Sequence, residues 1–162
     1  MLQQDGGSLS NWGLKVCGIM SCQRTVTQTS GSGVGSLTEA ISCAEPGDTI
    51  RLAGLLAGLT INIGESPLTV NKDLVIMAEA PDIKITGSGD RVFEVEEGVT
   101  AEFIGVTINA GTSLVGGAIN NPGTLKIKNV TIERNPVISG ATLIQNAPGA
   151  QLFVAGTCFI NQ

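Results

Sequence analysis

Val99–Gly111 reads VTAEFIGVTINAG and Gly123–Asn135 reads GTLKIKNVTIERN, and this pair decides the fold. Ala101 matches Leu125, Phe103 matches Ile127, Val106 matches Val130 and Ile108 matches Ile132, each 24 residues apart. Each copy holds two short alternating segments separated by a small or polar residue, Gly105 or Asn129. Period-2 alternation inside a longer fixed period marks stacked strand coils rather than a helical array. The expected fold is all-β: a right-handed parallel β-helix, a three-sheet solenoid of about four to five coils. The hand follows from the crossover preference of parallel strands.

The pattern extends in both directions. Thr49–Leu52 and Leu59–Ile63 are short alternating segments, followed by Leu68–Val70, Leu74–Met77 and Ile83–Thr86. Val92–Val95, Ala101–Ile104 and Val106–Ile108 make a coil; Gly117–Asn120, Leu125–Lys128 and Val130–Ile132 make another; Thr142–Gln145, Gln151–Val154 and Thr157–Ile160 make the last. Val70, Val95, Ile119 and Ile144 follow one another at 25, 24 and 25 residues and are expected to stack. No coil buries its inward residues alone; stacking makes one continuous core.

Ahead of the strands, Ser36–Ala44 reads as a short helix at residues 36–44. Ser36 and Glu39 form an S-x-x-E capping box. Leu37, Ala40, Ile41 and Ala44 share one face, and Pro46-Gly47-Asp48 ends the helix. Such a helix is expected to lie across the open end of the stack and shield it, an N-terminal capping helix. Residues 25–162 form the β-helix unit, and residues 1–24 a separate N-terminal tail with one strand at Trp12–Cys17.

Composition narrows the function. Charged residues make up 14 % of the 162 residues, there is no His, and 9 basic against 14 acidic residues give a net charge of −5. Nucleic-acid binding wants clustered Lys and Arg, so that partner is not expected. No apolar run reaches the roughly 18–20 residues that span a bilayer, so no membrane span is expected. MLQQDGGSLS lacks the basic and apolar regions of a signal peptide. Without His or a CxxC pair, neither a metal site nor a cofactor is expected.

The four cysteines, Cys17, Cys22, Cys43 and Cys158, suit an oxidising compartment. Cys22–Cys43 and Cys17–Cys43 are both compatible with tying the lead-in segment to the helix, and Cys158 is expected to be free. The final coil ends without a polar cap, which raises the expectation of further coils.

GSGVGSLTEAISCAEPGDTIRL, PLTVNKDLVIMA, VFEVEEGVTAEFIGVTI and GGAINNPGTLKIKNVTI resemble the right-handed β-helix domain called choice-of-anchor Q, across Thr25–Gln162. That resemblance implies a large secreted or surface-anchored bacterial protein in which this region is a passive scaffold. The resemblance also implies anchoring supplied elsewhere, so this chain is not expected to anchor itself. GGSLSNWGLKVC resembles the last strand of the P domain of proprotein convertases and bacterial secreted proteases. This second resemblance implies a preceding protease-type domain in the same polypeptide.

Chemistry is sparser. The acidic concentration comprises Asp82, Asp90, Glu94, Glu96, Glu97 and Glu102, with Arg91 near it. A Ca²⁺ or glycan face would draw on Glu94, Glu96 and Glu102, because Ca²⁺ needs 6–8 converging oxygens. A solvated acidic face is the better reading, and no cleft is expected. Strand parity places Glu102 beside Lys126 and Thr107 beside Thr131, with Lys84 before and Cys158 after. Asn109, Asn120, Asn121, Asn135, Asn146 and Asn161 read as turn formers, and Phe153 and Trp12 as packing rather than sugar-stacking faces. The expectation is therefore no catalytic residue and no enzyme: a secreted or cell-surface scaffold or adhesion-like module. Its partners would be extracellular polysaccharide, cell-surface components or adjoining domains. The alternative is a polysaccharide-binding or polysaccharide-lyase-like β-helix.

Overall fold

A computed structural model of the protein describes residues 22–160. The Trp12–Cys17 strand, the P-domain-like stretch, Cys17 and Asn161 lie outside them. The described chain opens with β1 (Thr25–Val26) and α1 (Leu37–Cys43). The first coil is β2 (Asp48–Leu52), a turn of 3-10 helix (Gly54–Leu56), β3 (Thr60–Asn62) and β4 (Leu68–Val70). The second is β5 (Leu74–Ala78), β6 (Lys84–Thr86) and β7 (Phe93–Val95); the third is β8 (Thr100–Ile104), β9 (Thr107–Asn109) and β10 (Ile119–Asn121). The fourth is β11 (Thr124–Lys128), β12 (Thr131–Glu133) and β13 (Ile144–Asn146), and β14 (Gln151–Ala155) and β15 (Cys158–Ile160) begin a fifth.

Every coil contributes its first strand to a six-stranded sheet, β1-β2-β5-β8-β11-β14. Its second strand joins a five-stranded sheet, β3-β6-β9-β12-β15, and its third a four-stranded sheet, β4-β7-β10-β13. All pairings are parallel. The protein is a three-sheet parallel β-helix of about five turns. At about 4.8 Å between paired strands, the stack is on the order of 20 Å long.

Alternation explains why these segments became strands with these faces. Ile50, Ile76, Phe103 and Ile127 form one inward column in the first sheet. Ile61, Ile85, Ile108 and Ile132 form one in the second, and Leu68, Phe93, Ile119 and Ile144 one in the third. All but the fourth coil's Ile144 are buried. Phe93 and Phe103 meet across the interior with ring centroids 4.7 Å apart, in the tilted arrangement aromatic pairs prefer. A left-handed residue turns the chain out of the first sheet in three successive coils: Gly105, Asn129 and Gly156. Asn is among the non-glycine residues that tolerate that conformation best.

One register differs from the sequence expectation. Ile119 pairs with Phe93, not with Val95, while Val70–Val95 and Ile119–Ile144 pair as expected. The spacing across β7 and β10 is 26 residues because residues 110–118 form a longer loop than the turn before it. Asn121 consequently falls at the next inward position and is fully buried. Its Nδ2 donates to Asn146 Oδ1 at 2.6 Å and to the Gln151 carbonyl at 3.0 Å.

The helix is where the sequence places it. Ser36 is the N-cap and accepts from the Glu39 N–H at 3.2 Å. The reciprocal half of the capping box is displaced by one residue: Glu39 accepts from the Gly35 N–H at 2.6 Å, because the Ser36 N–H is already bonded to the Gly33 carbonyl. Leu37, Ala40 and Ile41 enter the same core as the strands. Lys72 donates to the carbonyls of Ser42 and Ala44, placing a cation where the helix dipole is negative. Cys22 and Cys43 are disulfide-bonded with Cα atoms 5.5 Å apart, and Cys158 is free and exposed. Just after the helix, Asp48 accepts from the Glu45 N–H and pairs with Arg24.

Candidate functional site

The acidic residues singled out from sequence do not converge. Glu94 stands on β7 in the third sheet and Glu96 lies just beyond it, whereas Glu102 stands on β8 in the first sheet. Glu94 accepts from Asn120 Nδ2 at 3.3 Å. Among the described residues no group of three or more His, Cys, Asp or Glu side chains is placed to hold a metal ion. Glu102 and Lys126 are register partners as expected, yet they are not an ion pair within 4 Å; those among the described residues are Arg24–Asp48, Arg51–Glu79 and Lys84–Glu133. Phe153 stands exposed beside Lys126 and Lys128 in a shallow depression of about 270 Å³.

The sequence predicted no cleft; the structure has one, of about 470 Å³, on the outer face of the second sheet. Strand register builds its floor. Thr86, Asn109, Glu133 and Ile160 occupy one outward column on β6, β9, β12 and β15. The neighbouring column is Lys84, Thr107, Thr131 and Cys158, which confirms the expected threonine pair and its flanks. Lys84 Nζ reaches across one coil to lie 3.4 Å from both Glu133 oxygens.

The wall comes from the later loops between the second and third sheets, through Ala110, Arg134, Asn135 and Pro136. Residues 63–67, 87–92, 110–118 and 134–143 lengthen steadily from coil to coil. They are themselves stacked by backbone hydrogen bonds: Ser88 N–H to Gly64 O, Ser113 N–H to Asp90 O and Thr142 N–H to Leu114 O, at 2.7–2.9 Å. Gly111 permits this approach, since a Cβ there would sit 2.6 Å from the Asp90 carbonyl oxygen. Asn135 makes an Asx turn, accepting from the Val137 N–H at 3.0 Å. Arg134 follows β12 directly and its Nη2 donates to the Ala141 carbonyl at 3.2 Å, so the guanidinium is held in the wall.

The cleft holds two cations, Lys84 and Arg134, and one anion, Glu133. Among the described residues Arg134 has no carboxylate within ion-pair distance. Three buried side-chain atoms among the described residues lack hydrogen-bond partners: Arg134 Nε and Asn109 Oδ1 from the cleft lining, and Asn121 Oδ1 in the core. Buried polar atoms are nearly always satisfied, and leaving one unsatisfied costs about 1–3 kcal/mol. A donor and an acceptor thus belong to side chains that line one cleft, and a hydroxyl, of water or of a ligand, can serve both.

No family model, curated protein or solved structure matches this chain.

The cleft was missed because its wall is aperiodic, whereas the alternation that reveals strands says nothing about loop shape. The available signal was the lengthening gap after each second-sheet strand, from Asn62–Leu68 to Glu133–Ile144. Of the six asparagines read as turn formers, Asn135 and Asn146 make such local bonds. Asn121 is instead a core residue, and Asn109 and Asn120 project outward from strands.

Proposed function

We propose that the chain is a non-catalytic β-helix module of a larger secreted or cell-surface bacterial protein. It works as a scaffold and surface-contact unit rather than an enzyme. The supporting observation is the set of outward columns, Lys84–Thr107–Thr131 and Thr86–Asn109–Glu133, held at coil spacing over a continuous aliphatic core. Such a stack presents side chains in a fixed array without a moving part, which suits contact with an extended polymer or an adjoining domain. The Cys22–Cys43 disulfide supports an oxidising, extracellular location. No helix among the described residues is long and apolar enough to cross a membrane.

A second reading, a polysaccharide-lyase-like or polysaccharide-binding β-helix, is favoured by the gathering of Lys84, Glu133 and Arg134 in one cleft. Incubation with a panel of extracellular polysaccharides separates the two. The module reading predicts retention on polymer or cell surfaces with no new chain ends. Chain shortening that disappears in Glu133→Gln would establish the enzyme reading instead.

A further inference from the structure

The geometry points to the cleft beside β12 as a binding site for an acidic saccharide: a sugar oligomer whose carboxylate meets Arg134 and Lys84 and whose hydroxyls meet Asn109 and Glu133. The inference deepens the contact-module reading and rests on it for the partner being a polymer.

Charge comes first. The protein carries a net charge of −5, yet Lys84 and Arg134 against Glu133 leave the cleft one unit positive. Of the two cleft cations, Arg134 is the one with no carboxylate in ion-pair distance among the described residues, and its side chain is already oriented by the Ala141 carbonyl. A guanidinium in that state is a carboxylate receptor with little left to order, since its planar fork matches two oxygens. Lys84 lies at 3.4 Å from both Glu133 oxygens, a loose contact that leaves ammonium protons for a second acceptor.

Hydroxyl chemistry comes next. Arg134 Nε is an unpartnered donor and Asn109 Oδ1 an unpartnered acceptor, both buried atoms of residues that line the cleft. A sugar hydroxyl both donates and accepts, which matches this pair in chemistry. Glu133 accepts only, and would repel a second carboxylate but welcome a hydroxyl donor. That alternation of cation and acceptor fits a uronic acid unit better than an acidic peptide, whose adjacent carboxylates would meet Glu133. Pro136 and Ile160 add apolar surface for the C–H face of a ring.

Shape settles the length of the ligand. The floor column crosses β6, β9, β12 and β15, three inter-strand steps or roughly 14 Å along the stack axis. An oligomer laid along the stack axis fills that length; a single sugar acid does not.

Calorimetric titration tests the assignment, with a short hexuronate oligomer, its carboxyl-reduced counterpart, the free monosaccharide acid and a Glu/Asp peptide as probes. The acid oligomer is expected to bind, with the reduced oligomer, monosaccharide and peptide at least tenfold weaker. Arg134→Gln and Lys84→Met, checked for native circular dichroism, should each weaken the acid oligomer at least tenfold, and Glu94→Gln on the third sheet should not. No binding by the acid oligomer, equal binding of the reduced oligomer, tighter binding of the peptide, or folded cleft variants with unchanged affinity would each overturn the site. Tight binding unaffected by cleft variants leaves the contact-module reading standing. Shortening of the oligomer leaves the site standing and removes the non-catalytic reading.

Discussion

Asn121 donates a 2.6 Å hydrogen bond from its side-chain amide to Asn146 one coil further along the stack, from a fully buried position among aliphatic columns. Its second bond, to the Gln151 carbonyl, ties the third sheet to the start of the next coil. Two such bonds contribute about 1 kcal/mol each. Asn121→Ala should therefore lower unfolding free energy by about 1–3 kcal/mol in urea titration. Asn121→Asp should cost more, because it removes the donor and faces a carboxylate toward two acceptors. Equal stability of Asn121→Asp and wild type would show that the pair contributes nothing.

The Cys22–Cys43 bridge closes a separation of 21 residues around α1. The chain-entropy model assigns about 3 kcal/mol to a loop of that size. Reductant, or the Cys22→Ser/Cys43→Ser pair, should lower the melting temperature by several degrees while leaving the β-sheet circular dichroism signal. A melting temperature insensitive to reductant would mean that the helix docks without help.

Asp48 gives the expected acid response. The Glu45 N–H, and then Arg24, hold its carboxyl below the ordinary 3.8. A depressed carboxylate pKa means its stabilisation is present above the unfolded value and disappears as pH falls through the folded value. Asp48→Asn keeps an acceptor but loses the charge, so the melting-temperature gap to wild type should be steady above pH 3.8 and close below it. A gap that widens on acidification would contradict this assignment.

The strands β14 and β15 carry partly exposed Leu152, Phe153, Val154 and Phe159, and no Asp, Glu, Lys or Arg occurs after Arg134. An uncharged apolar edge is the template that strand pairing uses. Sedimentation should show concentration-dependent association of the chain, reduced in Val154→Lys. Identical sedimentation of the two proteins at high concentration would count against this.

The fold was legible because alternation and spacing are local and repetitive: fourteen of the strands predicted from Thr49 onward are present, with ends shifted by at most two residues. The register of Ile119 was not, since the 24-residue step of Ala101–Leu125 does not carry over to the third sheet, where loop 110–118 adds length. Asn121 was misread for a related reason: a polar residue at a strand end resembles a turn former until register shows which way it points. The candidate site was half legible. Parity already set Lys84 in line with Thr107 and Thr131, but Glu133 and Arg134 acquire meaning only when the loop wall folds beside them.

The most direct test is an amide NMR titration of the chain with a hexuronate oligomer, following protein and ligand signals in one tube. The account predicts shifts centred on Lys84, Thr86, Asn109, Glu133 and Arg134, with ligand signals that stay those of the intact oligomer. Shifts centred on Glu94 and Glu96, or the appearance of shorter oligomer signals, would contradict it.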